Sequence, residues 1–172
     1  MSKMVLSILV ENNPGVLSRV SGLFSRRAFN IISLTVGETE NPRYSRMTVV
    51  TEGDSKIQEQ IKKQLLKLED VSDLTELLPD NSVTRELLLV KVKADAKQRQ
   101  QIIAVANIFR AKIVDVATES LMIELTGNQA KLNAFLNLLK GYTILTIVRT
   151  GVTGLKRGLS GSGDIAEYID VD

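Results

Sequence analysis

An α+β fold of two tandem βαββαβ units is predicted by three observations. Apolar residues recur with period two and then period 3.6 in one order, and that order occurs twice along the chain. A short polar segment, Pro79-Asp80-Asn81-Ser82, separates the two rounds. Hydrophobic residues make up 44% of the 172 residues but aromatics only 4%, so Leu, Ile and Val must build the cores. That length suffices for one ordinary domain or two small ones.

The elements follow in order. Met4–Val10 reads as a buried strand. Val16, Leu17, Val20, Leu23 and Phe24 then mark one face of a helix. Ile31–Val36 is β-branched and strand-like, Pro42 marks a turn, and Tyr44–Thr51 alternates with Met47 and Val49 on one face. Asp54 is placed to cap a helix bearing Ile57, Ile61, Leu65 and Leu68, and Val71–Leu78 closes the round as a strand. The second round runs through Leu87–Val92, a helical stripe of Ile102, Ile103, Ala106 and Phe109, and a strand pair at Ile113–Ala117 and Leu121–Leu125. A helix with Leu132, Phe135, Leu136 and Leu139 follows, capped by Asn128 or Thr126 and ended by Gly141 as its C′ residue. Thr143–Thr150 is the last predicted strand. The domains are therefore residues 1–78 and 83–158 around a linker at 79–82, with a flexible acidic tail at 159–172.

Each round matches the split βαβ, or ferredoxin-like, motif, in which both helices cover one face of a four-stranded antiparallel sheet. Val5, Leu9, Val50, Leu88 and Val90 alternate with core residues and are expected on the other face. An uncovered face of that kind is an apolar patch, which points to oligomerisation or domain–domain packing. Dilution by Lys and Thr would instead permit a monomer.

Composition excludes several functions. The chain has no cysteine, hence no disulfide, thiolate nucleophile or cysteine-ligated metal, and no histidine, the commonest general base and metal ligand. Catalysis would have to rest on Asp, Glu or Lys, and no metal site is expected. Residues 159–172 carry four acids and no base, and the preceding 158 residues hold 22 bases against 16 acids. That excess is dispersed and forms no nucleic-acid stripe. No segment has the apolar length of a membrane span, and the N-terminus lacks a signal-peptide layout, so a cytoplasmic protein is expected.

The segment Glu11-Asn12-Asn13-Pro14-Gly15-Val16-Leu17-Ser18-Arg19-Val20 is the most informative. It joins a strand to a helix. Pro14 presets φ, Gly15 permits close approach to the backbone, and the unpaired N–H groups of the first helical turn favour an anion such as an amino-acid carboxylate. Asn12 and Asn13 add amide donors and acceptors. The same residues also suit an ordinary strand–turn–helix joint, with an asparagine as turn or cap residue.

The N-terminal half resembles an ACT domain, the small-molecule sensing module of amino-acid biosynthetic enzymes. Over residues 3–158 the chain resembles the small regulatory subunit of acetohydroxyacid synthase (acetolactate synthase). The likeness rests on Glu-Asn-Asn-Pro-Gly-Val-Leu-Ser-Arg-Val at 11–20, Gly-Leu-Phe-Ser-Arg-Arg-Ala-Phe-Asn-Ile at 22–31 and Ser33-Leu34-Thr35-Val36. It continues with Arg85-Glu86-Leu87, Leu89–Val92, Phe109–Val116, Ala134–Leu136 and Ile147–Gly151. Ile32 stands where many relatives have Glu, and the acidic tail lies outside the shared pattern.

The resemblance implies a non-catalytic subunit that binds a branched-chain amino acid, usually valine, imposes feedback inhibition on a separate catalytic large subunit, and activates it otherwise. Thiamine diphosphate, Mg and FAD are expected on the catalytic subunit and none in this chain. By the same resemblance Asn12 bonds the effector, the N–H groups near Gly15 and Val16 take its carboxylate, and Asn30 reaches the ligand from the partner of a homodimer or higher oligomer. Asn30 alone would read as a turn residue. Leu17, Val20 and Leu34 are candidates for the apolar pocket wall or for the core. The second round has Lys93-Ala94-Asp95-Ala96-Lys97 in place of the Asn-Asn-Pro-Gly loop and is not expected to bind the effector.

Three other functions fit less well. An RNA-binding sheet of this class wants aromatics on its central strands, and Met4–Val10 has none. An acylphosphatase-like enzyme wants Arg in the loop, whereas Arg19 falls inside the helix. An ACT-type sensor of another amino acid, acting on a different metabolic enzyme, is the nearest alternative.

Overall fold

The structure, a computed structural model, describes residues 1–158. Contacts divide the chain into two compact units, one of residues 1–83 with the described residues from Val152 onward, the other Thr84–Gly151. Residues 152–158, expected at the end of the second domain, group by contacts with the first unit. The tail expected at 159–172 lies outside the described residues. No helix among the described residues is long and apolar enough to cross a membrane.

The first unit runs β1 (Ser2–Glu11), α1 (Val16–Arg26), β2 (Ile31–Glu38), β3 (Tyr44–Gly53), α2 (Ser55–Leu66) and β4 (Val71–Glu76). Its strands form one antiparallel sheet in the order β2-β3-β1-β4. Alternation places Met4, Leu6, Ile8 and Val10 of β1 on the face that meets Val16, Val20, Leu23 and Phe24 of α1 and Ile61 and Leu65 of α2. Asp54 caps α2 as the sequence predicts, its carboxylate accepting from the Ile57 N–H at 2.9 Å. The other face is less apolar than expected. Leu9 and Val50 alternate there with Ser7 and Thr48, and all four are buried.

The second unit repeats the plan with α3 (Ala96–Ile108), β6 (Lys112–Val116), β7 (Ser120–Gly127), α4 (Gln129–Leu138) and β8 (Ile144–Arg149) following β5 (Ser82–Lys93). The strand order is β6-β7-β5-β8. Leu88 and Val90, expected on the uncovered face, are fully buried in the helix-side core, where they pair with Leu125 and Ile123. A phase error of one residue reverses every side chain of a strand, and the long apolar run Leu87–Val92 hides its phase. Two segments that carried the family likeness meet here. Glu86, buried, lies 3.7 Å from Arg149 Nε, and the Thr150 N–H donates to the Leu87 carbonyl at 3.1 Å.

A ninth strand, β9 (Thr153–Lys156), pairs with β5. No strand is expected after Thr150, because Thr-Gly-Leu-Lys is too short to show a period.

Helix ends differ from expectation in one respect. Gly141 is not in a left-handed conformation, so it is not the C′ glycine it was expected to be. The non-glycine residues in the left-handed region are Ala28 and Arg110, both at φ 55°. Each closes a paired-bond turn: Phe29 N–H donates to Phe24 O and Ala28 N–H to Ser25 O, while Ala111 N–H donates to Ala106 O and Arg110 N–H to Asn107 O. The Phe24 and Phe29 rings meet edge to face at 6.3 Å and clasp the first of these turns. A non-glycine residue in this conformation is strained by about 1–2 kcal/mol. Arg110 is exposed. Arg110→Gly is expected to raise stability by about 0.5–1 kcal/mol after the extra chain entropy of glycine is subtracted, measured as a higher urea midpoint at unchanged slope.

Candidate effector site

The site is built on the junction between β1 and α1. Gly15 is the N-cap of α1 and has φ +85°, a conformation that only glycine adopts without strain. No side chain caps the helix. The other three helices in the described residues are capped by Asp54, Asp95 and Asn128, and Asp95 forms a full capping box with Gln98. Only α1 departs from this chemistry, and it does so where a ligand can take the place of the cap. The Val16 N–H donates to the Asn13 carbonyl at 3.3 Å, and later N–H groups of the first turn have no intrahelical acceptor.

The asparagines hold the loop and flank the helix end. Asn12 Nδ2 donates to the Pro42 carbonyl at 3.0 Å, and the Asn12 N–H donates to the Arg43 carbonyl at 2.7 Å. These bonds tie the loop to the turn between β2 and β3. Asn13 Nδ2 donates to Glu11 Oε2 at 3.0 Å. Neither asparagine caps α1. Between loop and turn lies an open cavity of about 430 Å³ lined by Glu11, Asn12, Asn13, Pro42, Arg43 and Tyr44. Gly15, Val16 and Asn30 are outside its lining.

Arg19 is expected inside the helix and not in the loop, yet the fold brings its side chain to the loop. One turn after Gly15, its Nη1 lies 3.0 Å from where a Gly15 Cβ would stand. Its Nε pairs with Asp70 Oδ2 at 2.5 Å. That hydrogen bond holds the guanidinium pKa above its ordinary value. The signal was present in the i, i+4 spacing from Gly15.

The remaining predicted residues are dispersed. Leu17 is exposed, Val20 is fully buried in the core, and Leu34 packs against that core. Asn30 is exposed, and its carbonyl accepts from Thr51 Oγ1 at 2.6 Å. Ile31, beside it, pairs with Thr51, whereas Glu11, beside Asn12, pairs with Tyr44. On β3 those partners are seven residues apart, so Asn30 and Asn12 lie at opposite ends of the sheet, roughly 24 Å apart along the strands. Among the described residues no group of three or more His, Cys, Asp or Glu side chains is arranged to hold a metal.

A four-stranded antiparallel sheet of this order, with both helices on one face and a glycine-opened loop at the start of α1, defines an ACT domain. The family model for the AHAS small subunit-like ACT domain matches residues 6–73, and that for the small subunit of acetolactate synthase matches residues 85–158. The acetolactate synthase small subunit of Mycolicibacterium smegmatis is 56% identical over 92% of this chain and 93% of its own length. The probable acetolactate synthase small subunit of Archaeoglobus fulgidus is 50% identical over 91% of this chain and 98% of its own. The crystal structure of the small subunit from Thermotoga maritima, 44% identical, matches 92% of this chain and 99% of that one with a TM-score of 0.84. The chain belongs to the acetolactate synthase small-subunit family.

Gly15→Ala puts a side chain at φ +85° and presses it against Arg19. It is expected to cost about 1–2 kcal/mol of stability. Gly37→Ala, where a Cβ meets nothing within 4 Å and φ is ordinary, is the control and is expected to cost less. Urea denaturation of both variants makes the comparison.

Proposed function

We propose that this chain is the non-catalytic regulatory subunit of acetolactate (acetohydroxyacid) synthase. It binds a branched-chain amino acid, valine first, to impose feedback inhibition, and it activates the catalytic large subunit when the effector is absent. It works in the cytoplasm in branched-chain amino-acid biosynthesis, and thiamine diphosphate, Mg and FAD belong to the catalytic subunit. The observation that carries the reading is the uncapped start of α1, where a carboxylate would receive the first-turn N–H groups and the charge of Arg19.

The separation of Asn30 from the loop supports a site shared between two copies. β2 is an edge strand, so its outer N–H and C=O groups are free to pair with another strand. Antiparallel pairing of two β2 strands about a two-fold axis near Leu34 and Thr35 sets Ile31 of one copy opposite Glu38 of the other. Glu38 pairs with Ser45, at the loop end of the sheet. Asn30 of the partner subunit is thereby carried to the end of the sheet that holds Asn12 and Gly15. An effector bound there stabilises one dimer arrangement and shifts the population of the complex by its differential affinity.

The purified chain is expected to make no acetolactate from pyruvate, even with thiamine diphosphate, Mg and FAD, and to raise the rate of its catalytic subunit on mixing. Turnover by the chain alone, or a partner rate that does not change, counts against the reading. Gly15→Asp, Asn12→Ala and Asn30→Ala are each expected to weaken valine inhibition while leaving activation in place. Loss of one hydrogen bond lowers valine affinity about 5- to 150-fold, about 1–3 kcal/mol. Gly15→Asp is the most severe, because it places a carboxylate beside that of the ligand. Three variants as sensitive to valine as the parent would exclude this loop. A thermal-shift screen across the amino acids separates valine from other effectors.

A further inference from the structure

Both units follow one plan, so each can be compared with the other where its first strand runs into its first helix. Glu11 ends β1 opposite Tyr44, and Lys93 ends β5 opposite Ser120. The Asn12 N–H donates to the Arg43 carbonyl at 2.7 Å, and the Ala94 N–H to the Glu119 carbonyl at 2.9 Å. The Glu11 N–H donates to the Asp70 carbonyl and the Lys93 N–H to the Thr143 carbonyl, both at 2.8 Å. Pro42 is therefore the counterpart of Thr118. Asp70, just before β4, is the counterpart of Thr143, just before β8. Both helices carry an arginine four residues after the N-cap, Arg19 after Gly15 and Arg99 after Asp95.

The two arginines turn to different partners. Arg99 Nη2 donates to the Ala117 carbonyl at 3.3 Å and to the Thr118 carbonyl at 2.9 Å, so its side chain spans from the helix to the turn between β6 and β7. Its Nε is buried and has no hydrogen-bond partner among the described residues. In the first unit a carboxylate takes that same atom, for Arg19 Nε pairs with Asp70 Oδ2 at 2.5 Å. There the turn is held by Asn12 Nδ2, 3.0 Å from the Pro42 carbonyl, and Arg19 stays outside the lining of the cavity between loop and turn. Thr143 offers no carboxylate. A guanidinium has five N–H donors and no acceptor, and it bonds most strongly to an ionised oxygen. The residue before the last strand thus decides which way the arginine turns.

We propose that Asp70 is a positioning residue that holds Arg19 out of the space between the β1–α1 loop and the β2–β3 turn. Without Asp70, Arg19 turns to the Pro42 carbonyl and fills that space, as Arg99 reaches the Thr118 carbonyl in the second unit. The turning of the arginine rests on the repeat, and only its consequence for an amino-acid ligand rests on the effector reading above. The first unit has residues 12–14 between strand and N-cap, where the second has Ala94 alone. The longer loop makes room for a ligand, and the ion pair keeps an arginine from occupying it. A site closed in about nine molecules of ten binds its ligand about 10-fold more weakly.

The test uses the full chain carrying Asp70→Thr, which copies the second unit, alone and combined with Arg19→Met. The Arg19 side chain is followed first by NMR, with no effector. In Asp70→Thr, contacts between the Arg19 side chain and the Pro42 ring are expected to appear, and the Arg19 Nε–H to lose its carboxylate-bonded signature. The reciprocal variant, Thr143→Asp, is expected to give the Arg99 Nε–H that signature. Arg19 pointing to solvent in Asp70→Thr, with no contact to Pro42, overturns the proposal. Valine is then titrated by calorimetry. Asp70→Thr is expected to bind about 10-fold more weakly than the parent, whereas Asp70→Thr/Arg19→Met binds within about 3-fold of Arg19→Met alone, because Asp70 acts through Arg19. Binding by Asp70→Thr as tight as that of the parent overturns the proposal, since the released guanidinium then does not exclude the ligand. If Asp70→Thr does not fold, Asp70→Asn is read by the same contacts. If the parent itself binds no valine, the effector reading falls, and the contacts to Pro42 decide the positioning role by themselves.

Discussion

β2 lies at the edge of its sheet, and that position decides what each side of the strand can meet. An edge strand leaves one row of backbone N–H and C=O groups unpaired. Its two faces are also put to different uses. Leu34 packs against the core, while Ser33 and Thr35 hold Val152 on the other side. Ile32 and Val36 remain exposed. One short strand thus meets the core on one face and the returning chain on the other, with its outer backbone groups left open.

The two halves share a topology but not a surface chemistry. α3 begins with Asp95 and a capping box, which satisfies the Asp95 and Gln98 N–H groups within the chain. α1 begins with Gly15 in a left-handed conformation and no side-chain cap. The same fold therefore carries a helix start that is closed in one unit and open in the other. Side-chain capping is thus kept at the start of three helices and absent at the start of one. The helix C-termini show the reverse: Ala28 and Arg110 close both turns in the same strained geometry, a feature of the architecture in both units.

Electrostatics at the open helix end come from a residue outside the loop. Arg19 is oriented by Asp70, which sits just before β4. The pair is partly exposed and adds little to stability. Its effect is positional: it orients the guanidinium so that Arg19 Nη1 lies against the Gly15 backbone, with part of its charge offset by Asp70.

The sequence by itself determined the element order, most of the core and the strand–turn–helix joint at residues 12–16. These are local properties. Apolar period, turn residues and cap residues each act within a few positions, so Asp54 and Phe24 could be assigned without a fold, whereas Asn128 and Val20 each kept an alternative. The phase of Leu87–Val92 was not legible, because a strand that is apolar throughout does not show which face is inward. β9, the left-handed turns at Ala28 and Arg110, the approach of Arg19 to Gly15, and the grip of Ser33 and Thr35 on Val152 were decided by tertiary structure. Each depends on groups brought together by sheet register or helix packing rather than by neighbouring positions in the chain. The distance between Asn30 and Asn12 is of the same kind. Only the register of β2 and β1 against β3 shows that the two asparagines lie at opposite ends of one sheet, because strand pairing, unlike helix formation, joins residues whose separation along the chain carries no local signal.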